Sequence, residues 1–240
     1  MAGHSKFKNI MHRKGAQDKK RAKVFTRAIK EITVAAKSSP DPNSNPRLRA
    51  AITAAKQINL PKDKIDNAIK KATSETDSVN YEEIRYEGYA SSGIALIVET
   101  LTDNKNRTAG EVRSTFGKYG GTLGEQGSVS YLFKKMGAII YETDGIDKTQ
   151  LMEQAIELEA YDCLEKDGYM EILCSIEKYP EISEKLEAKF GKPVESELKW
   201  IAETTITLDE EKGEKVAKLI DALDNLDDVQ SVSGNYKFFN

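Results

Sequence analysis

Histidine is nearly absent from this chain. There are two in 240 residues, His4 and His12. Past residue 12 there is thus no His-based triad, no His-ligated metal site and no HExxH arrangement. Cysteine is as scarce: Cys163 and Cys174 are the only two, with no histidine near them. They match no zinc spacing and cannot build a disulfide framework, so buried thiols in a reducing compartment are expected. No apolar run reaches the ~18 residues of a membrane span, and no signal peptide opens the chain. The Lys-rich N-terminus lacks the Arg- and Ser-rich amphipathic character of a transit peptide, which points to the cytoplasm.

Phosphate-binding loops are missing too. Between Gly110 and Gly117-Lys118 lie six residues, where a P-loop has four. Gly120, Gly121, Gly124 and Gly127 do not fit GxGxxG and read as a turn. The acid pairs Glu82-Glu83 and Asp227-Asp228 read as solvated faces. No catalytic residue, metal site, cofactor or small-molecule substrate is assigned, and a non-enzymatic protein is expected.

What is present is positive charge at one end. The first thirty residues carry ten Lys/Arg against one acid, in a chain whose net charge is −3. Residues 1–72 hold 18 Lys/Arg and 5 Asp/Glu, and residues 73–240 hold 18 and 34. The sequence pI of about 5.7 therefore hides a basic front and an acidic rear. A surface kept soluble by charge mixes both signs. A one-signed arm is the footprint expected of a phosphate binder.

Residues 1 to about 20 have few apolar anchors (Phe7, Ile10, Met11) and are expected to be mobile in isolation. From Arg21 the spacing of Phe25, Ala28, Ile29, Ile32, Ala35 and Ala36 predicts a helix with one apolar stripe. Lys23, Arg27, Lys30 and Lys37 fall opposite that stripe and predict a basic ridge in solvent. The candidate nucleic-acid-binding residues are His4, Lys6, Phe7, Lys8, His12, Arg13, Lys14, Lys19, Lys20, Arg21, Lys23, Arg27 and Lys30. The cations would neutralise phosphates. The two histidines and Phe7 would stack on or hydrogen-bond to bases.

The fold class expected is multidomain α and β. After the turn-rich SSPDPNSNP, helices start at Pro46 and Pro61. With the first helix they make a small helical bundle, and the basic arm plus this bundle form a domain over 1–78. IRYEGYA and GIALIVETL read as strands, the second buried on both faces. Thr108 and Glu111 suggest a capping box. The glycine-rich GGTLGEQG leads to a strand SVSYLF, and GAIIYE opens a new set. From there, with YDCLEKD counted as a short strand, the order β-α-β-β-α-β is ferredoxin-like. TTITL, a helix and a last strand form a further β-α-β unit without a partner of its own. A split α+β domain over 79–135 and 203–240 is therefore expected, with a ferredoxin-like domain, 136–202, inserted in it.

These segments also carry a family resemblance. MAGHSKFKNIMHRKGAQDKKRAKVFTRAIKEITVAAK resembles the opening of the YebC-like family, also called the PmpR or TACO family. The likeness continues through NPRLRAAI, LPKDKIDNAIKKA, YEGY, LTDNKNRT, EVRSTF, GGTLGEQGSVSYLF, TTITLDEE and LIDALDNLDDVQSV, so it spans the chain. The departures are Phe7 where tryptophan is common, Met11 where lysine is common, and Ser91-Ser92 in place of a Pro-Gly type turn. The resemblance implies the same three domains and a nucleic-acid role. Bacterial members are described mainly as DNA-binding transcriptional regulators. Mitochondrial relatives activate translation, and some bacterial members act on stalled ribosomes. Two partner classes follow: duplex DNA for a transcriptional regulator, and RNA or the ribosome for a translation factor. The family's description favours the first, and a basic arm suited to folded RNA slightly favours the second. A third class, a protein-interaction module built on the acidic rear, ranks below both.

Overall fold

The computed structural model describes residues 17–74 and 80–238, with the side chains of residues 17–21 and 166 outside that description. Seven α-helices and mainly antiparallel sheets make it a mixed α and β protein among the described residues.

Helix α1 spans Gln17–Ser38. It starts four residues earlier than the apolar stripe suggests, because Gln17, Lys19, Lys20 and Arg21 are adequate helix formers with nothing to stop them. Helix α2 is Pro46–Gln57 and α3 is Lys62–Thr73. Their shared core is small and aliphatic: Ile32, Ala35 and Ala36 of α1 meet Leu48, Ala51, Ala55, Leu60, Ile65, Ala68 and Ala72. Asn45 joins two helix ends. Its Oδ1 accepts from Leu48 N–H at 3.0 Å, and its Nδ2 donates to the carbonyls of Ala35 and Ser39, each at 2.7 Å. One buried amide thus caps the start of α2 and occupies carbonyls that α1 leaves unpaired.

Strands β1 (Glu82–Tyr89) and β2 (Ala95–Thr102) form a hairpin, joined by a short turn in which Ser92 and Gly93 take φ of 65° and 73°. Helix α4 follows at Lys105–Lys118. The expected Thr108 capping box is corrected here: Asn104 is the N-cap, accepting from Arg107 N–H at 3.1 Å, and Thr108 is a buried residue inside the helix. Asparagine and threonine both cap well, so the pattern alone chose the wrong one.

A two-residue strand, β3 (Thr122–Leu123), pairs with β1. The expected strand SVSYLF does not form. Ser130–Leu132 is a 3-10 turn, and the strand begins at Phe133 and continues through GAIIYE as β4, Phe133–Glu142. The reason is Glu87, whose buried carboxylate accepts from Val129 N–H at 2.9 Å and Ser130 N–H at 2.8 Å. Donors that a strand would give to a neighbour are already used.

Helix α5 (Lys148–Glu157), β5 (Asp162–Lys166), β6 (Tyr169–Cys174), α6 (Tyr179–Phe190) and β7 (Glu195–Ala202) follow. The sheet order is β5-β6-β4-β7, all antiparallel. Ile139, Tyr141, Met170, Ile172 and Cys174 pack against Leu151 and Ala155 of α5 and Ile182 and Leu186 of α6. Entry and exit of this segment adjoin: Phe133 pairs with Ala202, and Glu203 N–H donates to the Leu132 carbonyl at 3.0 Å.

The chain closes with β8 (Ile206–Leu208), α7 (Glu210–Asp224), β9 (Val229–Gly234) and β10 (Tyr236–Phe238). Strand β9 pairs with β2 and completes the sheet β3-β1-β2-β9, while β8 pairs in parallel with β10. The last predicted strand is thus two. Asn235 divides them, its Oδ1 accepting from Ala95 N–H at 2.8 Å. On one face of β2, Leu96 and Val98 share a core with Val112 and Phe116 of α4 and Val216, Leu219 and Leu223 of α7. On the other, Ala95 and Ile97 meet Val129, Phe133 and Ala202. Both faces of β2 are buried, as its unbroken apolar run predicts.

Glu99 stitches the two four-stranded sheets together. Its carboxylate accepts from Lys135 Nζ at 2.8 Å, Trp200 Nε1 at 3.0 Å and Ser231 Oγ at 3.1 Å.

Candidate nucleic-acid interface

Of the candidate residues, His4, Lys6, Phe7, Lys8, His12, Arg13 and Lys14 lie outside the described residues. Lys19, Lys20 and Arg21 belong to α1 by their backbone. Lys23, Arg27 and Lys30 are fully described, and the structure puts them to a use the sequence reading did not foresee.

Helix α1 buries two faces. The apolar stripe meets α2 and α3. The opposite face, expected as a ridge in solvent, lies against the C-terminal end of α7 and the turn into β9. Lys23 Nζ donates to the Asp224 carbonyl. Arg27 Nη2 donates to the same carbonyl at 2.7 Å and to Asp224 Oδ1 at 3.1 Å. The last carbonyls of a helix lack partners within it and carry the negative end of its dipole, so cations suit this place. Lys37 Nζ donates to Asn80 Oδ1 at 2.8 Å.

Lys30 is the furthest from the expectation, at 8 % exposure. Its ammonium donates to Asp228 Oδ1 at 2.7 Å, the Asp227 carbonyl at 3.1 Å and the Leu101 carbonyl at 3.4 Å. Asp228 is 2 % exposed, which corrects the reading of Asp227-Asp228 as a solvated pair. Its second oxygen accepts from Arg107 Nη2 at 2.6 Å, Thr108 Oγ1 at 2.7 Å and Thr102 Oγ1 at 3.1 Å. Burial alone would raise the Asp228 carboxyl. The hydrogen bonds from Arg107, Lys30 and Thr108 outweigh it and hold the group well below the ordinary carboxylate range. Burial pushes Lys23 down to about 8, and the neighbouring Arg27 charge adds to the shift.

The ridge fails for a physical reason. Helical spacing shows which side chains share a face but not what the face meets. A clue was legible in the acids of DNLDDVQ (Asp224, Asp227, Asp228), which complement the cations of α1 in sign.

Other cations remain in solvent. Arg49 and Lys56 on α2, and Lys62, Lys64, Lys70 and Lys71 on α3, are exposed and make no ion pair among the described residues. The sequence reading passed over them because they are dispersed among apolar residues. Their signal was the +13 balance of residues 1–72, which the first thirty residues do not exhaust.

No group of three or more His, Cys, Asp or Glu among the described residues could hold a metal ion. Burial pushes the Cys174 thiol up to about 11 and raises Cys163 as well, so neither is a ready nucleophile. No helix among the described residues is long and apolar enough to cross a membrane.

Taken together, these observations define a mixed α and β protein whose N-terminal helix is anchored by its own cations to the end of the chain, with further positive charge displayed beside it. The chain belongs to the TACO1/YebC family. Residues 5–75 match the model of the TACO1/YebC protein N-terminal domain, and residues 81–236 match that of the TACO1/YebC second and third domain. A probable transcriptional regulatory protein of Rickettsia canadensis is 54 % identical over 240 residues, 99 % of this chain and 95 % of that one. A protein of the same description from Rickettsia felis is 55 % identical over 240 residues, with the same coverage. The crystal structure of a conserved hypothetical protein from Aquifex aeolicus is similar with a TM-score of 0.87, at 40 % identity and 93 % coverage of both chains.

Proposed function

We propose that this protein is a non-enzymatic, cytoplasmic, nucleic-acid-binding regulator, acting on transcription through duplex DNA. The observation that carries this is the charge asymmetry. Residues 1–72 hold +13, and the exposed cations of α2 and α3 belong to that balance. The relatives' descriptions as probable transcriptional regulatory proteins point the same way. Phosphate contacts fall to Lys6, Lys8, Arg13, Lys14, Lys19, Lys20 and Arg21, with His4, Phe7 and His12 toward the bases. Lys30 is withdrawn from that role by its burial, and Lys23 and Arg27 by their contacts with Asp224.

We also propose three domains: 1–78, a split domain of 79–135 with 203–240, and a ferredoxin-like 136–202. The sheet order β5-β6-β4-β7 supports the last of these.

The test is binding of the full chain to a duplex over a range of salt. With about six to eight phosphates neutralised, log affinity should fall with log salt at a slope of about −0.9 per phosphate. Removing residues 1–16 should abolish most of the affinity. Lys62→Ala with Lys64→Ala should make the slope shallower by about 2 units. A truncated chain that binds as tightly as the full one would refute the arm's role. Co-sedimentation with ribosomes, stable to DNase but lost with RNase, would move the target from DNA to RNA.

A further inference from the structure

Helix α1 meets the segment 224–228 through charged side chains. Its apolar residues Ile32, Ala35 and Ala36 serve the core with α2 and α3, and the core shared by β2, α4 and α7 includes none of them. What crosses the seam is Lys23, Arg27 and Lys30. The seam is graded along the helix. At its inner end the side chains of Lys30 and Asp228 are 10 % and 3 % exposed. Beyond Lys30 lie further anchors: Lys37 on Asn80, and Arg47 of α2 held by Glu31 and Glu83.

The outer end is looser. The side chains of Arg27 and Asp224 are 16 % and 33 % exposed. Arg27 Nε is buried and has no hydrogen-bond partner among the described residues, a cost that a guanidinium in water does not carry. Lys23 donates to a carbonyl rather than a carboxylate, and its burial, with Arg27 beside it, disfavours its charge. What holds these two cations has the acceptors of a phosphate. Asp224 offers a carbonyl at the negative end of α7 and a carboxylate oxygen, and Arg27 Nη2 donates to them at 2.7 Å and 3.1 Å. Lys20, Lys23 and Arg27 recur at i, +3 and +7 along α1, one side of the helix. The pair held by Asp224 thus continues the row of cations assigned to phosphates above.

We propose that Asp224 is an internal substitute for phosphate, displaced from Lys23 and Arg27 when nucleic acid binds, while Lys30 and Asp228 stay paired as the pivot of the helical unit. An ion pair at a partly exposed rim is weak and screened by salt, so a backbone phosphate competes for its cation. The Lys30–Asp228 pair resists, because separating it leaves a buried charge without its partner. In the free protein Asp224 therefore holds two cations in reserve, and a polyanion that fails to displace it gains only the outer arm. The inference rests on the nucleic-acid reading above and adds a regulation of the same site.

The test titrates the full chain and its variants with one DNA duplex over a range of salt. Lys23→Ala with Arg27→Ala should make the salt slope shallower by about 2 units, although Asp224 occupies both side chains in the free protein. Asp224→Asn should tighten binding by about three- to five-fold, the size of a rim ion pair. Asp221→Asn removes the same charge one turn earlier on α7, from an exposed side chain, and should gain far less. In the background of Lys23→Ala and Arg27→Ala, the gain from Asp224→Asn should vanish, because its target is gone. Thermal midpoints measured alongside show which variants are folded. If Asp224→Asn does not fold, the slope of the cation variant decides alone. An unchanged slope, or equal gains from Asp224→Asn and Asp221→Asn, would overturn the displacement and leave the regulatory reading standing. A parent chain that binds no duplex would overturn both.

Discussion

Lys30 and Asp228 stand 198 positions apart in the chain and meet at 2.7 Å in a buried ion pair. The contact fixes the three-helix unit to the sheet β3-β1-β2-β9. Asp228 also receives Arg107, Thr108 and Thr102, so one carboxylate gathers donors from β2, α4 and α1. Asp228→Ala should destabilise the protein by about 3–5 kcal/mol, because it leaves the buried Lys30 ammonium without a carboxylate, while Arg107 keeps Asp103. Urea denaturation of the variant beside its parent measures this. A loss under about 1 kcal/mol would mean that water replaces the carboxylate easily.

The same residue should govern acid sensitivity. The Asp228 carboxyl lies below its ordinary value of 3.8 in the fold. As pH falls, the unfolded chain takes up the proton first, so folding loses support. This contribution is complete above about pH 5 and is lost progressively as pH falls below the ordinary carboxylate range toward the lower value the carboxyl holds in the fold. The thermal midpoint of the parent should fall over that range more steeply than that of Asp228→Asn. Parallel curves would assign the acid sensitivity to other carboxylates.

The two faces of α1 should respond differently from what its helical wheel alone suggests. Ile32 is fully buried, so Ile32→Ala should cost about 2–5 kcal/mol. Ile29 is only half-buried, and Ile29→Ala should cost about half as much. Arg27→Ala with Lys30→Ala should also destabilise, since both side chains reach across to Asp224 and Asp228. Equilibrium unfolding of the three variants separates these effects. An unchanged midpoint for the double variant would show that the seam contributes little.

The proposed domain division has its own experiment. Because Phe133 pairs with Ala202 and Glu203 donates to Leu132, a short Gly/Ser linker should replace residues 134–202 without stretching the flanks. The bridged protein should fold and keep binding nucleic acid, while a chain ending at residue 135 should aggregate. That shortened chain lacks β9 and α7, leaving an edge of β2 and an apolar face open. Size-exclusion chromatography of both decides. A soluble short chain beside an insoluble bridged one would show that the domains run consecutively.

Much of the fold was legible because periodicity reports burial. The stripe Ile32, Ala35, Ala36 and the run Ala95–Val98 are core in the structure as their spacing predicts. Boundaries set by side-chain capture were not legible. Asn104 displaced Thr108 as the cap of α4, and Glu87 turned the front of SVSYLF into a 3-10 turn. Both depend on which polar group wins a backbone donor, a choice that propensity does not encode. The candidate site divides in the same way. The sign of the charge in residues 1–72 was plain. Which cations meet solvent and which meet Asp224 and Asp228 was not, because that depends on a partner segment near the opposite end of the chain.

Strand β9 has a consequence for the order of synthesis. The helical unit has all its core residues by Ala72, so it is able to fold soon after leaving the ribosome. The hairpin β1–β2 must wait for β9 and for Asp228, which emerge more than a hundred residues later. At about 5–20 residues per second, that leaves the edge of β2 uncovered for several seconds at least. A chain stopped short of residue 224 carries a basic helix with neither Asp224 nor Asp228 to seat it, next to an open sheet. Loss of a few dozen terminal residues therefore uncovers the inner cations of α1 and the edge of β2 together, so a late stop exposes charge and an open strand at one place.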